Sequence, residues 1–172
     1  MHRTPGPYAA WVSWLTAFGR GEDLPAGHLQ PIDAELGPQM AERLARHVAE
    51  AFHDRVRRWQ EAFSRDQQLL LAQPERAMTV LPVVLADARK RLGPLVAFTV
   101  HSGLPSELRT SVADALRETI SSAQRSLEDS VREAPVSLRN AVRQNSLEPA
   151  LTRPAAAPSP AGPARGRRVI LD

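Results

Sequence analysis

The stretch PQMAERLARHVAEAFHDRVRRWQEAFSRDQQLLL, from Pro38 to about Leu71, decides the fold of this chain. Its large apolar residues recur at helical intervals; they are Met40, Leu44, Val48, Phe52, Val56, Trp59, Phe63 and Leu70. This spacing predicts one apolar stripe along an α-helix. Pro38 suits the first helical position, where a backbone N–H has no helical acceptor. At 1.5 Å per residue the helix would be about 50 Å long, so other elements must cover its stripe.

A second long helix is predicted from residue 105 to about 133. Its apolar positions repeat the same period; they are Leu108, Val112, Leu116, Ile120, Ala123, Leu127 and Val131. Two stripes of similar length and period favour packing side by side at a shallow angle, and we expect the two helices to be antiparallel. Phe52, Val56, Leu116 and Ile120 should therefore be buried.

The segment between the two long helices is the most apolar part of the chain. It contains Pro82 and Gly93-Pro94, which break a helical pattern. We expect a kinked helix over about 75–92, a second piece over about 94–101, and the deepest burial in the protein. Short helices are predicted at 7–18 and at about 136–147, with a loop over 22–32. The fold class is therefore all-α, an elongated helical bundle over residues 1–148.

The composition changes at Pro149. Residues 149–172 are rich in proline, alanine and glycine, which predicts a disordered tail separate from the bundle. Four arginines against one aspartate give this tail a charge of +3, which equals the net charge of the whole chain. The first 148 residues are therefore neutral overall, which argues against a broad nucleic-acid-binding face on the helices.

The end of the tail carries the strongest indication of function. Arg167 and Arg168 precede the apolar triplet Val169, Ile170 and Leu171. A proline-rich spacer that ends in such a cluster is typical of a tethered docking peptide, in which the apolar residues enter a groove on a partner. Two alternatives are a plain disordered linker and weak phosphate binding by the tail arginines.

The predicted N-terminal helix holds half of the eight aromatic residues of the chain. Tyr8, Trp11, Trp14 and Phe18 recur on one face of it. They could pack on one end of the bundle, or they could form a surface for a partner or a membrane. Trp11 and Trp14 are the candidate partner contacts because tryptophan often anchors interfaces.

Candidate metal ligands occur on the first long helix. His47, Glu50 and His53 are three residues apart and share one side of it. A di-iron bundle needs a second Glu-x-x-His motif, and the chain has none, so we expect no metal and no cofactor. No nucleophile–base pattern and no phosphate-binding glycine loop occurs. His101-Ser102 is a turn rather than a catalytic pair. We therefore expect no catalytic residue and no enzymatic activity.

The chain has no cysteine and no run of 18 apolar residues. The first feature fits a reducing compartment, and the second predicts no membrane span. The apolar N-terminal stretch lacks a small-residue cleavage site, so we interpret it as mature protein rather than a signal peptide. These features favour a cytoplasmic adaptor or regulatory protein that binds another protein. The alternatives are a helical nucleic-acid-associated protein using Arg139, Arg143 and the tail, or a metal-binding bundle. Self-association through the long helices remains open.

Overall fold

The structure, a computed structural model, describes residues 6–32 and 37–148, and these form helices and connecting turns without a strand. The helices are α1 (Pro7–Gly19), α2 (Pro38–Ala72), α3 (Ala77–Thr99), α4 (Ser106–Ser130) and α5 (Val136–Gln144), with a short 3-10 turn at Pro74–Arg76. The predicted all-α bundle is confirmed. The predicted disordered tail, residues 149–172, lies outside the described residues.

The predicted stripes form the core. Phe52 and Val56 on α2 are 3% and 7% exposed, and Leu116 and Ile120 on α4 are fully buried. Every other residue of the α2 stripe is buried except Met40 in the first turn, which is 46% exposed. The amphipathic pattern of the two helices therefore identified their inner faces correctly.

The relative direction of α2 and α4 differs from the prediction. Near their N-terminal ends, Ile32 N–H donates to Gly103 O at 2.8 Å. Near their C-terminal ends, the Gln67 amide contacts Ser126 O and the Ser130 hydroxyl. The two helices are therefore parallel, and the antiparallel prediction was wrong. The reason is the full-length helix between them: α3 runs back along α2 from Ala88 beside Trp59 to Phe98 beside Phe52. Helix α4 therefore begins near the N-terminal end of α2.

Helix α3 is continuous where the sequence predicts two pieces. Pro82 and Pro94 both lie inside it, so the predicted break at Gly93-Pro94 was wrong. Proline inside a helix costs about 3 kcal/mol because it removes a hydrogen bond and crowds the preceding turn. An unbroken buried stripe runs past both prolines and offsets this cost; its members are Leu81, Leu85, Ala88, Leu92, Leu95 and Phe98.

The deepest burial in α3 is confined to that stripe. Of the other apolar residues of the segment, Val84 and Val96 are half-buried, and several are exposed near the corner between α2 and α3. We call this surface the apolar corner; it comprises Leu69, Leu71, Met78, Val80 and Val83. Within the described ranges no single helix is long and apolar enough to cross a membrane. One pair of segments, α2 and residues 74–99, is long and apolar enough when the two are taken together. The two segments are bent by 100° at their junction.

Candidate functional site

The loop over residues 20–32 is held in place by side chains from two helices and from the α3–α4 turn. From α1, the indole N–H of Trp11 donates to Gln30 O at 2.7 Å and that of Trp14 donates to Leu24 O at 3.2 Å. From α2, Arg55 donates to Glu22 O at 3.2 Å and to the Asp23 carboxylate at 2.7 Å. These side-chain donors pair with loop carbonyls that have no partner in a helix. The loop therefore has a defined position without secondary structure of its own.

The α3–α4 turn fixes the other side of the same loop. His101 accepts a hydrogen bond from Gly103 N–H on its Nδ1 atom at 2.9 Å, and its Nε2 atom lies 3.3 Å from Ala26 O. These partners assign the proton to Nε2, which donates to the carbonyl. The His101 ring also meets the edge of Trp11, with 5.5 Å between ring centroids. The histidine therefore serves here as a connector between α1, the loop and the turn.

Aromatic rings from α1, α2 and α3 form a stacked cluster beneath the loop. Trp14 stacks on Phe18 and on Phe98, with centroid separations of 5.0 and 5.5 Å. Phe98 also stacks on Phe18 at 4.8 Å and on Phe52 at 5.9 Å. The Arg55 guanidinium lies 5.1 Å from the centre of the Phe18 ring. Such contacts each contribute about 0.5–1.5 kcal/mol beyond area burial, so the cluster is a rigid platform.

A pocket of about 260 Å³ opens above this platform, between α1, the loop and the C-terminal part of α3. We call it the aromatic pocket; its lining residues are Trp14, Phe18, Glu22, Asp23, Leu24, Ala26, Pro94, Ala97, Phe98 and His101. Most of its wall is apolar, and two acidic residues, Glu22 and Asp23, belong to its lining. A preformed apolar concavity with a few polar groups is the usual form of a binding site.

The two candidate tryptophans have different positions relative to this pocket. Trp11 is fully buried, with no exposed surface, whereas Trp14 is 7% exposed and lines the pocket. Of the two interpretations of the aromatic helix, packing on the bundle therefore describes Trp11, and its ring is not on a surface that a partner can reach. The role of Trp14 as a partner contact stays a prediction. The other candidate partner residues, Arg167, Arg168, Val169, Ile170 and Leu171, lie outside the described residues.

Two of the candidate metal ligands, His47 and Glu50, lie on α2 beside α1. His47 Nδ1 and Glu50 Oε2 are 3.9 Å apart, with side chains that are 45% and 67% exposed, and His53 is exposed on the following turn. In the part of the chain that the structure describes, no three histidine, aspartate or glutamate side chains converge as a metal site would require. The expectation that this motif binds no metal stays a prediction.

A second, more polar cleft of about 460 Å³ adjoins the aromatic pocket along α2 and α3. Arg55, Arg58, Lys90 and Arg91 line it, together with Asp23 and Asp87. Arg91 is paired with Asp66 at 2.5 Å and with Asp87 at 2.9 Å, and Arg58 donates to Gly19 O at 2.9 Å. The three arginines therefore have structural partners in the fold.

Sequence reasoning missed most of the pocket. It assigned Phe98 to an apolar block and His101 to a turn, and it gave Arg55 no role. The available signal was the composition of the loop, in which two acids precede an apolar leucine between two glycine-containing turns. This signal is weak because the loop composition does not indicate which helices hold the loop. It also does not indicate that Phe98 lies in the same pocket.

Comparison with known families, curated proteins and solved structures finds no match to this chain. Its function must therefore be argued from its own residues and geometry.

Proposed function

We propose that this chain is a non-enzymatic adaptor or regulatory protein of the cytoplasm, and that Arg167–Leu171 is a docking peptide for another protein. The single observation that supports the proposal is that the buried core of the described bundle extends to Leu147. Leu147 is fully buried, and its N–H donates to the buried Gln124 side chain at 3.0 Å. From this contact we infer that the bundle does not need the charged and apolar residues after Pro149 as core material.

The tail has the two properties that a tethered peptide needs. Residues 149–166 form an 18-residue spacer rich in proline and alanine, and the motif that follows combines cationic and branched aliphatic side chains. Aliphatic side chains that enter a groove can contribute on the order of 1.5–3 kcal/mol each before ordering costs. Exposed arginines contribute less and are screened by salt. The apolar triplet should therefore dominate affinity.

The test uses two variants of the full chain as baits in affinity capture. One replaces Val169, Ile170 and Leu171 with Ser, and the other replaces Arg165, Arg167 and Arg168 with Ser. The proposal expects the first variant to lose the partner and the second to retain most of it at physiological salt. Loss of binding only in the arginine variant, together with collapse of wild-type binding at high salt, would contradict the proposal.

The second candidate function is association with nucleic acid. The charge of the tail favours it, since the +3 excess of the chain lies there, and Arg143 on α5 is an exposed cation on the last helix. Arg139, the other candidate on α5, is only partly exposed. Binding to generic duplex DNA that weakens steeply with salt would support this function over the adaptor.

A further inference from the structure

We infer that the aromatic pocket is a receptor for the chain's own docking motif, Arg167–Leu171. This inference rests on the proposed function, since it assigns the motif an intramolecular site that a partner must displace. The consequence would be regulation: the motif would be covered in the free protein and available only when a partner competes for it.

The size of the pocket fits the apolar triplet. A cavity of about 150 Å³ with apolar walls accommodates one benzene molecule. The aromatic pocket, at about 260 Å³, therefore admits about two branched aliphatic side chains. It lies below the range of roughly 300–1,000 Å³ that is usual for drug-sized ligands and cofactors. A short peptide that inserts two of its side chains suits this volume better than a nucleotide does.

The chemistry of the pocket also fits the motif. The motif places two positive charges beside its aliphatic residues, and the pocket places Glu22 and Asp23 beside its aromatic floor. Asp23 shares its charge with Arg55 at 2.7 Å, so Glu22 is the principal acidic contact for an incoming arginine. A purely apolar groove would not distinguish this motif from other aliphatic peptides, whereas an acidic rim favours the cationic one.

The length of the tail allows the contact. Arg89 on α3 donates to Asn145 O and Ser146 O, which places the end of the described chain beside the middle of α3. Pro94 and Ala97, which line the pocket, are five and eight residues further along the helix, or about 8 and 12 Å. A spacer of 18 residues can span roughly 55 Å when extended and about 20–25 Å as a flexible coil. Either conformation reaches the pocket without unfolding a helix.

The pocket is already formed, which lowers the cost of binding. Trp14, Arg55 and His101 hold the loop wall through the hydrogen bonds described above, and the rings below it are stacked. A preorganised site avoids the free energy that ordering a mobile loop would require. Tethering also favours binding, because the length of the spacer sets the effective concentration of the motif near the pocket. The concentration of the protein in solution does not change it.

The experiment is paramagnetic broadening in the full chain. Because the sequence has no cysteine, Asp172→Cys provides a single attachment site for a nitroxide. The inference expects the amide signals of Leu24 and Ala97 to lose at least twofold more intensity than that of Leu69, near the other end of α2. Replacing Val169, Ile170 and Leu171 with Ser should abolish this difference. An unlabelled peptide of residues 165–172, added in excess, should restore the signals.

Pocket variants test the site itself. Ala97→Phe fills the pocket from an exposed position and should abolish the selective broadening, whereas Ala86→Phe, also at an exposed position on α3, should not. Glu22→Lys should reduce it, whereas Glu118→Lys on α4 should leave it unchanged. Leu24→Ser removes an exposed apolar side chain from the pocket lining and should also reduce the selective broadening at Ala97. Uniform broadening of Leu24, Ala97 and Leu69, or selective broadening that survives both the Ala97→Phe and the triple-serine change, would overturn the inference.

Two controls separate the possible occupants. Mixing isotope-labelled chains that lack the nitroxide with unlabelled chains that carry it detects docking between copies, and selective broadening in that sample would overturn the intramolecular site. Capture of a partner through the motif without broadening at the pocket would leave the proposed function standing and refute only this inference. Selective broadening at the pocket without motif-dependent capture would support the intramolecular site and refute the proposed docking to a partner.

Discussion

The indole N–H of Trp59 on α2 donates a hydrogen bond to the backbone carbonyl of Ala88 on α3, with a separation of 3.0 Å in the protein interior. The same indole stacks on Phe63, with ring centroids 5.3 Å apart and 6° between the ring planes. Together with the stacking of Phe52 on Phe98, this bond fixes how far along α2 the helix α3 lies. The register of the two helices therefore depends on a buried polar contact as well as on apolar packing.

The first prediction concerns this bond. Trp59→Phe should lower the free energy of unfolding by about 1–3 kcal/mol, because it removes the hydrogen bond and leaves a small void beside Phe63. Chemical denaturation monitored by circular dichroism measures the change. Gln60→Ala, at the exposed neighbouring position, is the control and should change stability by no more than about 0.5 kcal/mol. Equal stability of Trp59→Phe and the wild type would mean that the bond does not hold the register.

The second prediction concerns the core stripe of α2. Phe52→Ala should cost about 3–5 kcal/mol, since Phe52 is 3% exposed and stacks on Phe98. For a protein of this size that corresponds to a fall in melting temperature of roughly 6–20 °C. Met40→Ala, which truncates an exposed member of the same stripe, should change the midpoint far less. Similar effects of the two substitutions would show that the stripe is not covered along its length.

The third prediction concerns the turn that connects α3 and α4. A Cβ atom at Gly103 would lie 2.9 Å from His101 Cε1 and 3.0 Å from Trp11 Cζ2, closer than carbon atoms pack. Gly103→Ala should therefore destabilise the protein by about 1–3 kcal/mol as the two rings shift. Gly27→Ala is a matched control because nothing lies within 4 Å of the added atom. A neutral result at Gly103 would mean that this turn and the loop are looser than their hydrogen bonds imply.

The fourth prediction concerns the apolar corner. Leu69 and Val83 are each 68% exposed. An apolar patch that includes both side chains would favour association. Replacing both with Glu should leave the melting temperature nearly unchanged and should weaken concentration-dependent self-association. Analytical ultracentrifugation over a range of concentrations measures this effect. A wild-type chain that stays monomeric at every concentration would remove the corner as a self-association surface.

The sequence predicts the helices of this fold better than it predicts their arrangement. The period of the apolar residues located the inner faces of α2 and α4, because burial of Phe52 or Ile120 requires only a covered stripe. The apolar period did not determine whether α2 and α4 are parallel or antiparallel. That direction depends on whether the segment between them forms one helix or two. The prolines in α3 favoured two pieces, and only the tertiary burial of Leu81 through Phe98 keeps the helix continuous.

The candidate pocket was less predictable for a physical reason. Its loop has no secondary structure, and it is positioned by Trp11, Trp14, Arg55 and His101, which come from three separate parts of the chain. No local pattern encodes bonds between side chains and backbone carbonyls that lie 10 to 75 residues apart in sequence. The aromatic spacing of α1 indicated a packed or binding face, but the ring that completes it, Phe98, is supplied by α3.

The central claim is that the bundle is complete without its tail, and thermal unfolding of a chain ending at Glu148 tests it most directly. The account predicts the same total helical signal as the full chain and one cooperative transition, with a melting temperature lower by no more than about 4 °C. This limit allows about 1 kcal/mol for a docked motif. A loss of cooperativity, or a fall of more than about 10 °C, would mean that residues after Pro149 belong to the fold and would contradict the account.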